Sequence, residues 1–242
     1  MIFLTHNGSG VVINSHTASV VNWQMIGGAN HVNQHTWYFR DGDGGAASPI
    51  SDIGTPTDTL FGTQGVEIVY ANSDLTVTIN YFLQANSDGT AASLAEQVAF
   101  ETNFGINLRL FQYNDYDING TPADDTATRL NSSTIVQFDG DFAATTGGTP
   151  FPDFSEIGPF SALLQNIEGT AGYNLNTLAG NGIGETVNGN MTFAYQWNRN
   201  LGDGDSFVLS TNKVAAVPEP TTFAVLGVGA LALLRRRRRI AA

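Results

Sequence analysis

The sequence contains no cysteine, so a disulfide framework, a thiol nucleophile and a cysteine-ligated zinc are all excluded. Charge is sparse: Asp, Glu, Lys and Arg make up 13% of the 242 residues, about half the usual share. Positive charge is sparser still. Residues 1–217 carry five basic side chains, Arg40, Arg109, Arg129, Arg199 and Lys213, against 21 acidic ones, which leaves that body near −16. A surface of that sign repels phosphate backbones and anionic lipids, which excludes nucleic acid as a partner. No internal repeat of fixed period is present, so a solenoid or propeller is not indicated. Catalytic signatures are missing too. His31 and His35 stand four apart, but "VNQ" between them lacks the glutamate of H-E-x-x-H and the local pattern is strand, so they read as surface or satisfied polar residues rather than metal ligands. Ser9 in "NGSG" lacks the strand-turn-helix context of a nucleophile elbow and reads as a flexible N-terminal loop.

What is present is β-sheet patterning. Hydrophobic residues make up 42% of the chain, enough for one large core, and 27 glycines among many Asn, Thr and Ser residues point to short strands joined by turns. "LTVTINYFL" (75–83) alternates strictly, with Leu75, Val77, Ile79, Tyr81 and Leu83 on one face. "GVEIVY" (65–70) precedes it across "ANSD", a hairpin signal. Further strands are expected at 20–24, 31–39, 93–102, 106–115, 133–139, 189–198 and 206–212, the last two bracketing the loop "RNLGDGD". "SLAEQV" within 93–102 has helical propensity, but its β neighbours favour strand. One short helix is expected within "PFSALLQNIEG" (159–169). The fold class is therefore all-β, an antiparallel β-sandwich, jelly-roll-like, with a C-terminal hydrophobic helix.

Two clusters offer ligand chemistry. In "NDYDINGTPADD" (114–125), Asp115, Asp117, Asn119 and Gly120 reproduce the opening of a calcium loop, where oxygens on alternate residues converge on a hard cation. The closing glutamate is absent, since Thr126 stands at the twelfth position, so the choice lies between a calcium-stapled sandwich loop and an Asx-rich turn. Trp37 with Phe39, and Trp197 with Phe193 and Tyr195, form period-two aromatic rows. Exposed, Trp37 and Trp197 would stack on sugar rings; turned inward, they would pack against the opposite sheet. Carboxylates are plentiful, and a glycosidase needs two at a set separation in a cleft, which spacing along the chain does not reveal.

The chain ends "VPEPTTFAVLGVGALALLRRRRRIAA". The 14 residues from Thr221 to Leu234 would span roughly 21 Å as a helix, short of a hydrocarbon core of about 30 Å. Pro218 and Pro220 stop the helix from extending backward. Arg235, Arg236, Arg237, Arg238 and Arg239 would stay on the cytoplasmic side, which puts the acidic body outside. These ordered elements, Pro218–Glu219–Pro220, an oily segment and a terminal arginine cluster, resemble the PEP-CTERM sorting signal of Gram-negative bacteria. The resemblance implies recognition and processing of the tail by an exosortase, a membrane-embedded transpeptidase-like enzyme. It also implies transient inner-membrane anchoring, then delivery to the cell surface or to an exopolysaccharide or biofilm matrix. Pro218, Glu219 and Pro220 would be the recognised motif. Carriers of such a signal begin with a signal peptide, whereas "MIFLTHNGSGVVINSH" has neither a basic n-region nor a cleavage site, which leads us to expect a start further upstream.

Upstream of the tail, "WYFRDGDGGAASPISDIGTPT", "LAEQVAFETN" and "FAYQWNRNLGDGDSFVLSTNK" resemble an exported β-sandwich ectodomain seen ahead of PEP-CTERM tails, a group that brings no activity with it. Three segments are expected: 1–18 as an N-terminal piece, 19–213 as the sandwich, and 214–242 as the sorting tail. The leading functional expectation is a non-catalytic surface or matrix protein. A carbohydrate-binding module and a secreted glycan hydrolase are the alternatives.

Overall fold

The computed structural model describes residues 1–216 apart from 26, 27, 29, 122, 124, 140, 176–182 and 185. The sorting tail, including Pro218, Glu219, Pro220, the hydrophobic segment 221–234 and Arg235 to Arg239, lies outside the described residues. In chain order the strands are β1 (Ile2–His6), β2 (Ser9–Asn14), β3 (Ser19–Gln24), β4 (Gln34–Asp41), β5 (Ser48–Pro49), β6 (Thr57–Phe61), β7 (Gly65–Ala71), β8 (Leu75–Ala85), β9 (Ala91–Thr102) and β10 (Ile106–Asp115). They continue as β11 (Thr126–Asn131), β12 (Thr134–Asp139), β13 (Asp141–Thr149), β14 (Phe154–Pro159), β15 (Thr186–Asn188), β16 (Met191–Leu201) and β17 (Ser206–Ala216), with one α-helix, α1 (Ala162–Glu168).

The strands pair antiparallel into two sheets. The eight-stranded sheet runs β1-β2-β3-β4-β10-β16-β14 with β5 on β4, and the nine-stranded sheet runs β15-β11-β12-β13-β17-β9-β8-β7-β6. The seventeen strands among the described residues are about twice the eight of a jelly roll. The period-two pattern builds this sandwich directly. In β8 the side chains of Leu75, Val77, Ile79, Tyr81 and Leu83 are buried while Phe82 and Gln84 face outward. "SLAEQV" is strand, because Ala92, Leu94, Val98 and Phe100 fall in one alternating phase and enter the core. That same phase carries Glu96 inward.

The two inner faces merge in one apolar core. Trp37, Leu108, Leu110, Phe193, Tyr195 and Trp197 of the eight-stranded sheet meet Ile68, Tyr70, Ile79, Val98, Phe100 and Leu209 of the other. Phe39 and Phe100 bridge the sheets with ring centroids 5.9 Å apart. A second, smaller core lies on the outer face of the eight-stranded sheet, where Leu163 and Ile167 of α1 and Leu175 cover Tyr38, Phe111, Tyr113 and Ala194. Arg40 clamps this cover, its guanidinium 5.4 Å from the Phe111 ring centroid and donating to Tyr173 O and Asn174 Oδ1. Segment 1–18 proves to be part of the sandwich: Ile2, Leu4, Val11 and Ile13 are core residues of β1 and β2. Ser9 is correspondingly not in a flexible loop. It opens β2, donates to Gln24 O at 3.0 Å and accepts from Trp23 Nε1 at 3.3 Å.

Candidate functional site

Between the sheets, six polar side chains from four strands converge in surroundings that are otherwise apolar. His35 (β4), Glu96 (β9), Gln112 and Asn114 (β10), and Thr211 and Lys213 (β17) are all essentially without solvent contact. Strand register explains the meeting on the nine-stranded side. Thr211 stands directly opposite Glu96, and Lys213 follows two residues on, on the same inward face. Glu96 is the hub. Its Oε1 lies 3.0 Å from His35 Nε2, and its Oε2 lies 2.6 Å from Lys213 Nζ. The same Oε2 accepts from Gln112 Nε2 at 3.1 Å and from Thr211 Oγ1 at 3.2 Å. Gln112 Nε2 also donates to Thr211 Oγ1 at 3.0 Å.

Proton positions follow from this geometry. His35 Nδ1 faces two acceptors, Asn114 Oδ1 at 3.0 Å and Tyr113 O at 3.2 Å, so it must carry a hydrogen. A second proton must then lie between Nε2 and Glu96 Oε1, since two lone pairs would otherwise face each other. Burial alone would push Glu96 up, but His35 and Lys213 outweigh it and hold the carboxyl down to about 2. Burial lowers His35 and Lys213, each opposed by Glu96. For His35 the hydrogen-bond geometry decides, and the ring is the protonated partner of the carboxylate. The network is sealed, so no external substrate reaches it.

The residues singled out from sequence are placed as follows. Trp37 and Trp197 are both 0% exposed and pack on each other at 5.8 Å, so the sugar-stacking expectation for this pair is corrected: the alternation that aligns them turns them inward. Trp197 Nε1 donates to Pro150 O at 2.9 Å. His31 precedes β4 and is buried, and His35 belongs to the network. In the expected calcium loop, Asp115 lies on the outer face of the eight-stranded sheet, with Oδ2 accepting from Asn33 Nδ2 at 2.8 Å and Oδ1 unpartnered. Asp117 opens a short 3-10 turn, Ile118–Gly120, whose Ile118 N–H is held by Asp125 Oδ2 at 3.3 Å. The side chain of Asn119 lies outside the described residues. Among the described residues no three of His, Cys, Asp and Glu converge to hold a metal. Burial, followed by Asp117, pushes Asp115 up to about 7 against the Asn33 hydrogen bond.

Two features face solvent. A shallow cleft of about 640 Å³ lies at the β1–β2 turn, bounded by His6, Asn7, Gln24 and Thr63, and His6 also borders the neighbouring cleft with Gln84, Asn86 and Ser93. His6 Nδ1 is engaged, accepting from Ala85 N at 2.8 Å. Among the described residues neither cleft is lined by a carboxylate. The second feature is an aromatic shelf on the outer face of the nine-stranded sheet. Register sets Gly65 between Phe61 and Phe82, which are 52% and 42% exposed. A Cβ on Gly65 would come within 3.1 Å of Phe82 Cδ2 and 3.3 Å of Phe61 Cβ, so the missing side chain lets both rings close over the strand. Around them the face carries the uncharged donors and acceptors Asn80, Gln97, Ser210 and Asn212, and one carboxylate, Glu67, directly opposite Asn80.

Residues 216–239 match the PEP-CTERM protein-sorting motif. That match supports recognition of the tail by an exosortase and implies an exported chain. No curated protein matches the chain in sequence. In fold, the chain is similar to a bacterial glucoamylase complexed with acarbose, at TM-score 0.63 and 11% identity over 88% of this chain and 31% of that one. It is likewise similar to a galactose mutarotase-related enzyme from Lactobacillus acidophilus (TM-score 0.57, 7% identity, 88% of this chain and 96% of that one). A protein from Escherichia coli K12 described as an aldose 1-epimerase gives TM-score 0.56 at 6% identity, over 89% of this chain and 97% of that one. The chain thus spans under a third of the glucoamylase but nearly the whole length of the other two. At such identities the likeness is one of fold. No helix among the described residues is long and apolar enough to cross a membrane.

Proposed function

We propose that this protein is an exported, non-catalytic sandwich of the cell surface or extracellular matrix, routed there by its C-terminal tail. The observation that carries the reading is the sorting motif at residues 216–239. In it Pro218, Glu219 and Pro220 form the segment read by exosortase, the apolar stretch holds the chain in the inner membrane before processing, and Arg235 to Arg239 keep their end cytoplasmic. The ionisable groups between the sheets support the non-catalytic part, because His35 and Lys213 are closed off from solvent and each is paired with Glu96. The test is to recover the mature chain from its host. The five terminal arginines should be gone and the body should be found outside the inner membrane. Replacing Pro218 and Pro220 by alanine should leave the tail attached. A cytosolic chain retaining all five arginines overturns the reading.

A second reading, a carbohydrate-binding role within the matrix, is favoured by the Phe61–Gly65–Phe82 shelf. A pyranose ring presents an apolar face to an aromatic ring and hydroxyls to surrounding amides and carboxylates, and the shelf offers the rings with Asn80 and Glu67 beside them. The sugar-processing relatives of its fold fit this reading. Retention of the protein on exopolysaccharide should fall on Phe61→Ala or Phe82→Ala with little loss of stability. Unchanged retention sinks it.

A further inference from the structure

Lys213 is the only lysine in the chain, and it is buried between the sheets. Lysine is among the residues least often fully buried, so a solitary one in the core calls for a cause. Around it stand one carboxylate, Glu96, and two groups able to be cations, His35 and Lys213. A dry site with a single anion balances one positive charge. The two acceptors at His35 Nδ1 and the carboxylate at Nε2 hold that charge on the imidazole, so Lys213, whose ammonium burial disfavours, is the group that gives up its proton and becomes the neutral amine. A neutral amine is a nucleophile. The carboxamide of Gln112 shares Glu96 Oε2 with it, at 3.1 Å from Nε2 against 2.6 Å from Nζ, and Gln112 Oε1 is buried without a donor.

We propose that Lys213 and Gln112 join in an isopeptide bond that ties β17 of one sheet to β10 of the other, with Glu96 carrying the protons. The Lys213 Nζ lone pair attacks Gln112 Cδ, forming the N–C bond. Glu96 Oε2 takes the proton released from Nζ and delivers it to Gln112 Nε2, the original C–N bond breaks, and ammonia leaves. One amide replaces another, no oxidant or reductant is consumed, and Glu96 ends as it began. His35 is the positioning residue: it holds Oε1, which turns Oε2 toward both partners. Contact with the same carboxylate oxygen gathers amine and amide at one point, from which Nζ must close on Cδ, and exclusion of water keeps the product from hydrolysis. A chain without cysteine gains by this route the covalent staple between sheets that disulfides give other exported proteins. Thr211 Oγ1 also touches Gln112 Nε2, at 3.0 Å, but a hydroxyl is the weaker nucleophile and its ester would be less stable than the amide lost.

The test uses the full-length protein, purified and incubated folded. Its intact mass should be below the sequence mass by one ammonia, and proteolysis should yield a branched peptide joining the Gln112 and Lys213 segments. After denaturation an amine-reactive reagent should label the α-amino group alone. Glu96→Gln and Lys213→Arg should restore the full mass. The wild-type measurement decides whether or not those variants fold: a chain of unaltered mass with a reactive lysine overturns the proposal. So does a deficit of one water, which would indicate Lys213 joined to Glu96, or a bond cleaved by hydroxylamine, which would indicate an ester at Thr211. All of this is independent of how the tail is processed.

Discussion

Asp115→Asn should reverse part of the protein's pH dependence. Asp115 has no solvent exposure, one oxygen bonded to Asn33 and the other unpartnered, and its carboxyl is pushed up to about 7. Its folded pKa therefore lies above its unfolded value. The sign is fixed by that order: its contribution to stability is fully present below about pH 4 and is lost as pH climbs through about 7, because the unfolded chain releases the proton first. At about 1.4 kcal/mol per unit, the loss between pH 5 and pH 8 is about 3 kcal/mol. The asparagine variant does not titrate. It leaves one buried amide group unpaired, a constant cost of about 1–3 kcal/mol at every pH. The amide cost cancels when the variant's effect at pH 8 is compared with its effect at pH 5, and the difference of about 3 kcal/mol in its favour remains. Urea unfolding of both proteins at the two pH values measures it. Parallel pH dependences, within about 1 kcal/mol, would refute the assignment of a buried, largely unsatisfied carboxyl at this position.

Four further outcomes are expected. Trp37→Ala and Trp197→Ala should each cost about 3–5 kcal/mol in chemical unfolding, as core truncations do; values near zero would mean the indoles are not between the sheets. Glu96→Leu should cost about 3–5 kcal/mol by stranding the buried cation, roughly 10 °C in melting temperature, and a change below 2 °C would show the network contributes nothing. Calcium and EDTA should leave the melting temperature unchanged, because Asp115 and Asp125 turn to different partners; a calcium-dependent rise abolished by Asp115→Asn would reinstate the loop as a cation site. Arg40→Met should loosen the cover of α1 over the outer face, seen as faster amide exchange in 162–168 with the inner core unaffected.

Where alternation is strict and long, the sequence was sufficient to place the strand. β10 coincides with the expected 106–115, and the helix falls within 159–169. Strands not expected from the sequence include β1, β2, β6 and β14, five or six residues each at or next to a sheet edge, and the longer β13, whose Ala, Thr and Gly residues carry little alternating pattern of their own. The polar network had one legible trace. Glu96 sits between Leu94 and Val98, and Lys213 between Thr211 and Ala215, in the inward phase of their strands, where a charge is out of place. That phase marks each charge as buried without saying what it meets.

Period-two patterning, an acidic body without thiols and an ordered C-terminal signal are local properties, and each is written in consecutive residues, so the amino-acid order alone determined the β class and the export tail. Which faces turn inward, and which distant strands lie opposite, depend on how two sheets stack and in what register. Only the tertiary structure therefore decided that the tryptophans are core, that Phe61 and Phe82 are exposed, and that one lysine, one glutamate, one histidine and one glutamine share a dry site.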